Sequence, residues 1–188
     1  MKLLLINNNH PLLEDFRPEL REVGGGYFLE TCAAQAMKKM LCAALSCGIH
    51  LRVFSAYRSI SYQKGLFSQD TERYMKQGLS YDEAYKKTAL SIALPGYSEH
   101  NAGLAADISS ADWEGEITEE FENTEEFRWL DKNAHCFGYI LRYPRDKTDI
   151  TGITYEPWHY RYVGTCHARS IKKMGITLEE YMHICGIV

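Results

Sequence analysis

Residues 98–107 read SEHNAGLAAD, with His100 and Asp107 seven positions apart and Gly103 between them. Only Leu104 and two alanines separate the glycine from the aspartate. The chain can therefore leave a loop, turn at Gly103 and enter a strand with no bulky group in the way. A histidine and a carboxylate set around such a turn form a packing pair, a hydrogen bond or two parts of a metal site. What flanks the segment has to choose among these, and it also sets the fold.

Upstream, Pro95-Gly96 breaks the chain just before the segment. Ser80-Tyr81-Asp82-Glu83 has the capping-box pattern of a helix start, and a longer helix is expected from Ser59 to Gly78. Leu51 to Ser55 (LRVFS) reads as a strand. Before it, ETCAAQAMKKMLCAALSCG places Ala33, Met37, Met40, Leu41, Ala44 and Leu45 on one helical face, with Gly48 to close it. Leu3 to Ile6 reads as the first strand, followed by a loop with Pro11 and Pro18 and a flexible run at Gly24-Gly25-Gly26.

Downstream, Asp112 to Glu126 carries eight carboxylates in fifteen residues. Such a run reads as a solvated loop or helix face, with a substrate-side rim as the alternative. Thr124 can cap a helix that ends at Gly138 and hands over to a strand from Tyr139 to Tyr143. Ile153 to Val163 forms a second extended stretch, and Thr177-Leu178-Glu179-Glu180 repeats the capping box for a last helix. Helices come first and strands cluster later, without βαβ alternation. Residues 1–188 are thus expected to form one α+β domain, a central antiparallel sheet with helices packed on it.

The bulk numbers exclude some partners. At net charge −4 with 24% charged residues there is no basic excess, so no nucleic-acid partner is expected. The four apolar residues Leu3–Ile6 fall short of a signal peptide's core of roughly 7–15, and no run approaches the ~20 of a membrane helix. The chain as it stands is expected to be cytoplasmic, or wall-facing if it is a domain cut from an anchored parent. Six cysteines show no CxxC pair; Cys32, Cys42 and Cys47 lie among Ala, Met and Leu and read as buried free thiols, which favours a reducing compartment.

A catalytic zinc site uses three protein ligands and one open position. A second histidine with a carboxylate beside it occurs at Glu156-Pro157-Trp158-His159. In a regular strand Glu156 and His159 would point to opposite faces, so both can face one metal only if the backbone at Pro157 is turn-like, and that is the expectation. Spacing alone leaves the metal and structural readings evenly matched. Glu99 competes with Glu156 as base and Asp112 with Asp107 as ligand, while the other five histidines read as structural. Arg58 and Gln63, in SAYRSISYQ, could grip a carboxylate and read a peptide bond, but on their own they read more simply as a salt-bridge pair with nearby acids.

The two segments together resemble a known family. SEHNAGLAAD fits an SxHxxGxAxD pattern and EPWHYRYV fits an ExxH element. SAYRS, LPGYSEH, ILRYP, TGITYEPWHYRYVG and LEEY follow in the family's order. The chain resembles the LAS metallopeptidases, specifically D-alanyl-D-alanine carboxypeptidases of the VanY and VanXY type, over nearly its whole length. The resemblance implies a zinc site in a surface cleft of a hedgehog-like fold, with one Zn2+ per chain held by His100, Asp107 and His159. It implies Glu156 as catalytic base, with Arg58, Gln63 and Ser98 as substrate contacts. The reaction implied is removal of the terminal D-Ala from peptidoglycan stem peptides or precursors by a zinc-bound water. A D-Ala-D-Ala dipeptidase or bifunctional enzyme would share the site. A non-catalytic zinc-bearing module that binds the peptide is the alternative of another class. Two departures stand out: Ala56 where relatives commonly carry glycine, and the variable acidic stretch.

Overall fold

The computed structural model describes residues 3–13 and 15–187. In chain order its elements are β1 (Leu20–Gly24), β2 (Tyr27–Glu30), α1 (Thr31–Ser46), β3 (Leu51–Ser55), α2 (Ile60–Lys76), α3 (Tyr81–Ala89), β4 (Ala105–Ser110), α4 (Glu125–Asn133), β5 (Tyr139–Leu141), α5 (Thr148–Thr151), β6 (His159–Tyr162), α6 (Thr165–Met174) and α7 (Leu178–Ile184). The sheet order β3-β4-β6-β5 is antiparallel throughout, and β1-β2 is a separate hairpin. This is an α+β architecture.

Local chemistry accounts for the helix ends. The Ser80 and Thr177 boxes both close reciprocally with Glu83 and Glu180, and Ser59 and Thr124 accept from Tyr62 N and Phe127 N. The helix from Thr124 tightens to a 3-10 turn over Ala134–Phe137 before Gly138 ends it with φ 86°. One face of the sheet packs Val53, Ala106, Ile108 and Tyr160 against Ala33, Met37 and Met40 of α1. A second cluster joins Leu3 and Leu5 to α6 and α7 through Ala168, Ile171, Leu178 and Met182.

Several expectations fail for physical reasons. Leu3–Ile6 is no strand: Leu3, Leu5 and Ile6 are buried, but its backbone joins no ladder and serves as a strap. The three glycines are not a loose linker, since their positive φ values build the reversal of the β1-β2 hairpin. Only His159–Tyr162 of the 153–163 stretch is strand, and β5 stops at Leu141. Leu45 is 59% exposed. All six cysteines are free, but exposed rather than buried, because α1 turns its alanines and methionines inward and leaves Cys32 and Cys42 on the outer side. Their use as an indicator of compartment goes with that correction.

Candidate active site

Sheet register brings the site together. In the antiparallel ladder Ser55 on β3 lies opposite Asp107 on β4, which lies opposite His159 on β6. Directly opposed residues share a face, so the three side chains form a row across the sheet, away from the α1 core. His100 joins them from the 3-10 turn Glu99–Ala102, capped by Ser98, whose Oγ accepts from His100 N (3.3 Å). Gly103 ends that turn with φ 66°, and a Cβ there would sit 2.8 Å from Glu30 N. Both the left-handed backbone and the close approach of the hairpin require glycine. Asn101 ties the turn down, accepting from Gly96 N (3.1 Å) and donating to Arg58 O (2.7 Å).

His100, Asp107 and His159 each offer one ligand atom, all within 4.8 Å of one another, and among the described residues they are the group of this kind. The atoms are His100 Nε2, Asp107 Oδ1 and His159 Nδ1. Asp107 Oδ1 is 3.4 Å from the first and 3.2 Å from the second histidine. His100 Nε2 and Asp107 Oδ1 are buried and make no hydrogen bond. Buried polar atoms without partners are costly, and their convergence fits a cation that would satisfy them. Two imidazoles and one carboxylate form the donor set of catalytic zinc sites.

Glu156 stands beside this group, its Oε2 3.5 Å from His159 Nδ1. The expected turn is present: Pro157-Trp158 reverses the chain, and His159 N donates back to Glu156 O (3.2 Å). Burial pushes the Glu156 carboxyl up to about 8, with the charge of Asp107 adding and His159 opposing. Burial and the Arg58 charge push His100 down to about 4, so it is a neutral donor. Burial alone would also lower His159, but the carboxylates of Asp107 and Glu99 facing its two ring nitrogens raise it to about 9. Burial works against Asp107 as well, yet His100 and Arg58 hold it well below the usual carboxylate range.

Arg58 reaches the outer oxygen of Asp107 (Nη2–Oδ2, 2.5 Å) and donates from Nε to Ser55 Oγ (2.9 Å). Gln63, only 1% exposed, donates to Ala93 O (2.8 Å), and its Oε1 is buried without a partner. Arg58, Gln63, Ser98 and Glu156 line one cleft of about 350 Å3 with the three ligand candidates. Phe54, Trp158 and Tyr143 line it too, and from the acidic stretch Glu116 and Ile117 reach its wall. Most of that stretch is solvated, with Glu119 and Glu122 meeting Arg145.

The two rivals named from spacing do not compete. Asp112 is exposed and outside the ligand group. Glu99 is buried beneath the site, its Oε1 held by Arg142 Nε (2.7 Å) and Arg161 Nη1 (2.6 Å). Burial would raise it, but the two guanidiniums outweigh burial and keep it ionised. Sequence reasoning missed this pairing, since the arginines of ILRYP and HYRY carry no local sign of a partner near residue 99.

A His/Asp/His group with a buried carboxyl beside it in a cleft is the arrangement that zinc-dependent hydrolases use. The VanY model, described as D-alanyl-D-alanine carboxypeptidase, matches residues 27–165. The chain belongs to the VanY family of D-alanyl-D-alanine carboxypeptidases. It is 35% identical to a D-alanyl-D-alanine carboxypeptidase of Enterococcus faecalis over 96% of this chain and 65% of that protein. It thus spans just under two thirds of that relative's length. Among solved structures it is similar to VanYB in complex with D-alanine-D-alanine, with TM-score 0.88, 35% identity and 96% of each chain covered. It is also similar to a mutant of the D,D-pentapeptidase VanY from a VanB-type resistance cassette in complex with Zn(II), with TM-score 0.86, 35% identity, and 95% and 97% of the two chains covered. Among the described residues no helix is long and apolar enough to cross a membrane.

Proposed function

We propose that this chain is a zinc-dependent D-alanyl-D-alanine carboxypeptidase that releases the terminal D-Ala of peptidoglycan stem peptides or their precursors. The observation that carries the reading is the pair of buried, unpartnered ligand atoms on His100 and Asp107, with the raised Glu156 carboxyl beside them. His100, Asp107 and His159 would hold one zinc ion. When bound, it would polarise the scissile carbonyl and acidify a water.

The rest falls to the chain's own side chains. Glu156 takes the proton of the attacking water on its carboxylate and passes it to the amine of the departing D-Ala. A carboxyl with high intrinsic basicity suits both transfers, because it accepts readily and still releases to an amine. Arg58, fixed at Nε by Ser55 and at Nη2 by Asp107, presents its remaining donors to the substrate's C-terminal carboxylate or the developing oxyanion. Gln63 offers its free Oε1 to the N–H of the peptide bond. A cleft of about 350 Å3 suits a terminal dipeptide rather than a folded protein.

D-Ala release from a stem pentapeptide and from free D-Ala-D-Ala, side by side with zinc and with chelator, tests the proposal. Zinc-dependent release from the pentapeptide is the expected result, and the dipeptide lane separates a monofunctional from a bifunctional enzyme. A stem tetrapeptide lane reads whether the bond one residue further in is cut. Silence in every lane with zinc bound and the protein folded would overturn the enzyme and favour a zinc-bearing binding module.

A further inference from the structure

Resting on the reading of His159 as a metal ligand, we infer that Glu99 is a positioning residue for that histidine. Its carboxylate receives the Nε2 proton and so leaves Nδ1 bare for the metal. An imidazole ligates through one unprotonated nitrogen, and the acceptor that faces the other nitrogen decides which one that is. Here the two histidines use opposite nitrogens. His100 donates from Nδ1 to the carbonyl of Ala56 (2.7 Å), which frees Nε2. His159 turns Nδ1 toward Asp107 (3.2 Å) and Glu156 (3.5 Å), and its Nε2 lies 3.4 Å from Glu99 Oε2.

The two oxygens of Glu99 have separate tasks. Oε1 takes both guanidinium bonds, from Arg142 (2.7 Å) and Arg161 (2.6 Å), so Oε2 is left for His159. A mere anchor for two arginines would not need the second oxygen aimed at a ligand ring. The carboxylate is itself held from behind. Glu179 on α7 grips Arg142 through both terminal nitrogens (2.9 and 2.5 Å), Asn7 donates to Glu179 (3.0 Å), and Arg161 Nη2 donates to Leu4 O (2.6 Å). Both arginines are completely buried, and the ring of Tyr143 lies 4.7 Å from that of His159. The ligand ring thus sits on a braced acceptor, and a carboxylate acceptor makes the opposite nitrogen a better donor than a carbonyl would.

The test is zinc titration of the metal-free protein against a chromophoric chelator, for the wild type, Glu99→Gln and Glu179→Gln, with folding checked by circular dichroism. Glu99→Gln is expected to weaken zinc binding roughly 10–100-fold. Glu179→Gln loosens the same Arg142 without touching His159 and is expected to stay within about threefold of wild type. Unchanged affinity in Glu99→Gln, or equal weakening in both variants, overturns the inference. Glu99→Gln leaves Arg161 buried without its counter-charge and Arg142 with Glu179 alone, which can unfold the chain, so the deciding readout is on the wild type. Nitrogen-15 NMR of the zinc-loaded protein should show His159 protonated at Nε2 and His100 at Nδ1. A proton on His159 Nδ1 overturns the inference whether or not the variant folds. A wild type that takes up no zinc removes the metal reading itself, which is a different failure.

Discussion

Two buried charged clusters meet at His159, and they are built by opposite rules. In the lower one, Glu99, Arg142, Arg161 and Glu179 bind one another at 2.5–2.9 Å, the two arginines fully buried. In the upper one, a few ångströms away, His100 Nε2 and Asp107 Oδ1 are just as deeply enclosed, yet they meet only each other and His159 at 3.2–3.4 Å and complete no hydrogen bond. Leaving a buried polar group unsatisfied costs about 1–3 kcal/mol, whereas the paired cluster recovers its desolvation through its own contacts. A fold that can complete one cluster and leaves its neighbour open separates support from function. The closed cluster fixes geometry, and the open one gathers the donor atoms that a cation uses.

The sharpest way to break that distinction is to change the open cluster. Glu156→Ala should lower D-Ala release about 10²–10⁴-fold while zinc stoichiometry stays at wild type. His159→Ala, by contrast, should leave a folded chain that takes up no zinc in equilibrium dialysis. Full activity in the first variant, or full zinc in the second, would remove those residues from their roles. In the closed cluster, Arg142→Met should act on stability instead, costing about 3–5 kcal/mol in chemical denaturation because Glu99 and Glu179 lose a shared partner. A loss under 1 kcal/mol would mean that the cluster does not brace the fold.

Filling the open cluster should stabilise the chain. Zinc at one hundred times its dissociation constant is worth about 2.7 kcal/mol, or roughly 5–11 °C in Tm for a chain of this size. An unmoved Tm would argue against the site. The smallest effect is protonic. With His159 raised to about 9, the metal-free protein holds that proton at pH 7.5, so zinc must displace it. Apparent zinc affinity should therefore fall as pH falls below about 9, and calorimetry in buffers of different ionisation enthalpy should count at least one proton released per zinc, with Glu156 adding to it. Affinity flat between pH 6 and 9 would contradict the raised value.

What could be read in the chain and what could not divides by range. Ser80 and Thr177 announce their helices because a capping box is complete within four residues. Gly103 likewise announces its turn, and the bend at Pro157 follows from two side chains that must share a face. The open cluster was legible only as two short segments whose meeting a family resemblance suggested. The closed cluster was not legible at all. Its contacts join residues 37 to 62 positions apart, and nothing near Arg142 or Arg161 names a partner. The hairpin was lost for another reason: three glycines look the same whether they are loose or locked at positive φ. The cysteines misled because apolar neighbours in sequence sit on the far side of α1.

The strap at Leu3–Ile6 and helix α7 share one apolar cluster, and Asn7 reaches Glu179 across 172 positions of chain. Closing so long a loop is an entropic task that no local contact can finish early. During synthesis, strands β3 to β6 can emerge and pair before α7 has left the ribosome, but Arg142 behind the Glu99 acceptor lacks its Glu179 clamp until α7 docks. The order this favours is sheet first, and the contact of the strap with α7 afterwards. The clamp on Arg142 is therefore a contact that forms late, once Asn7 and α7 have found each other.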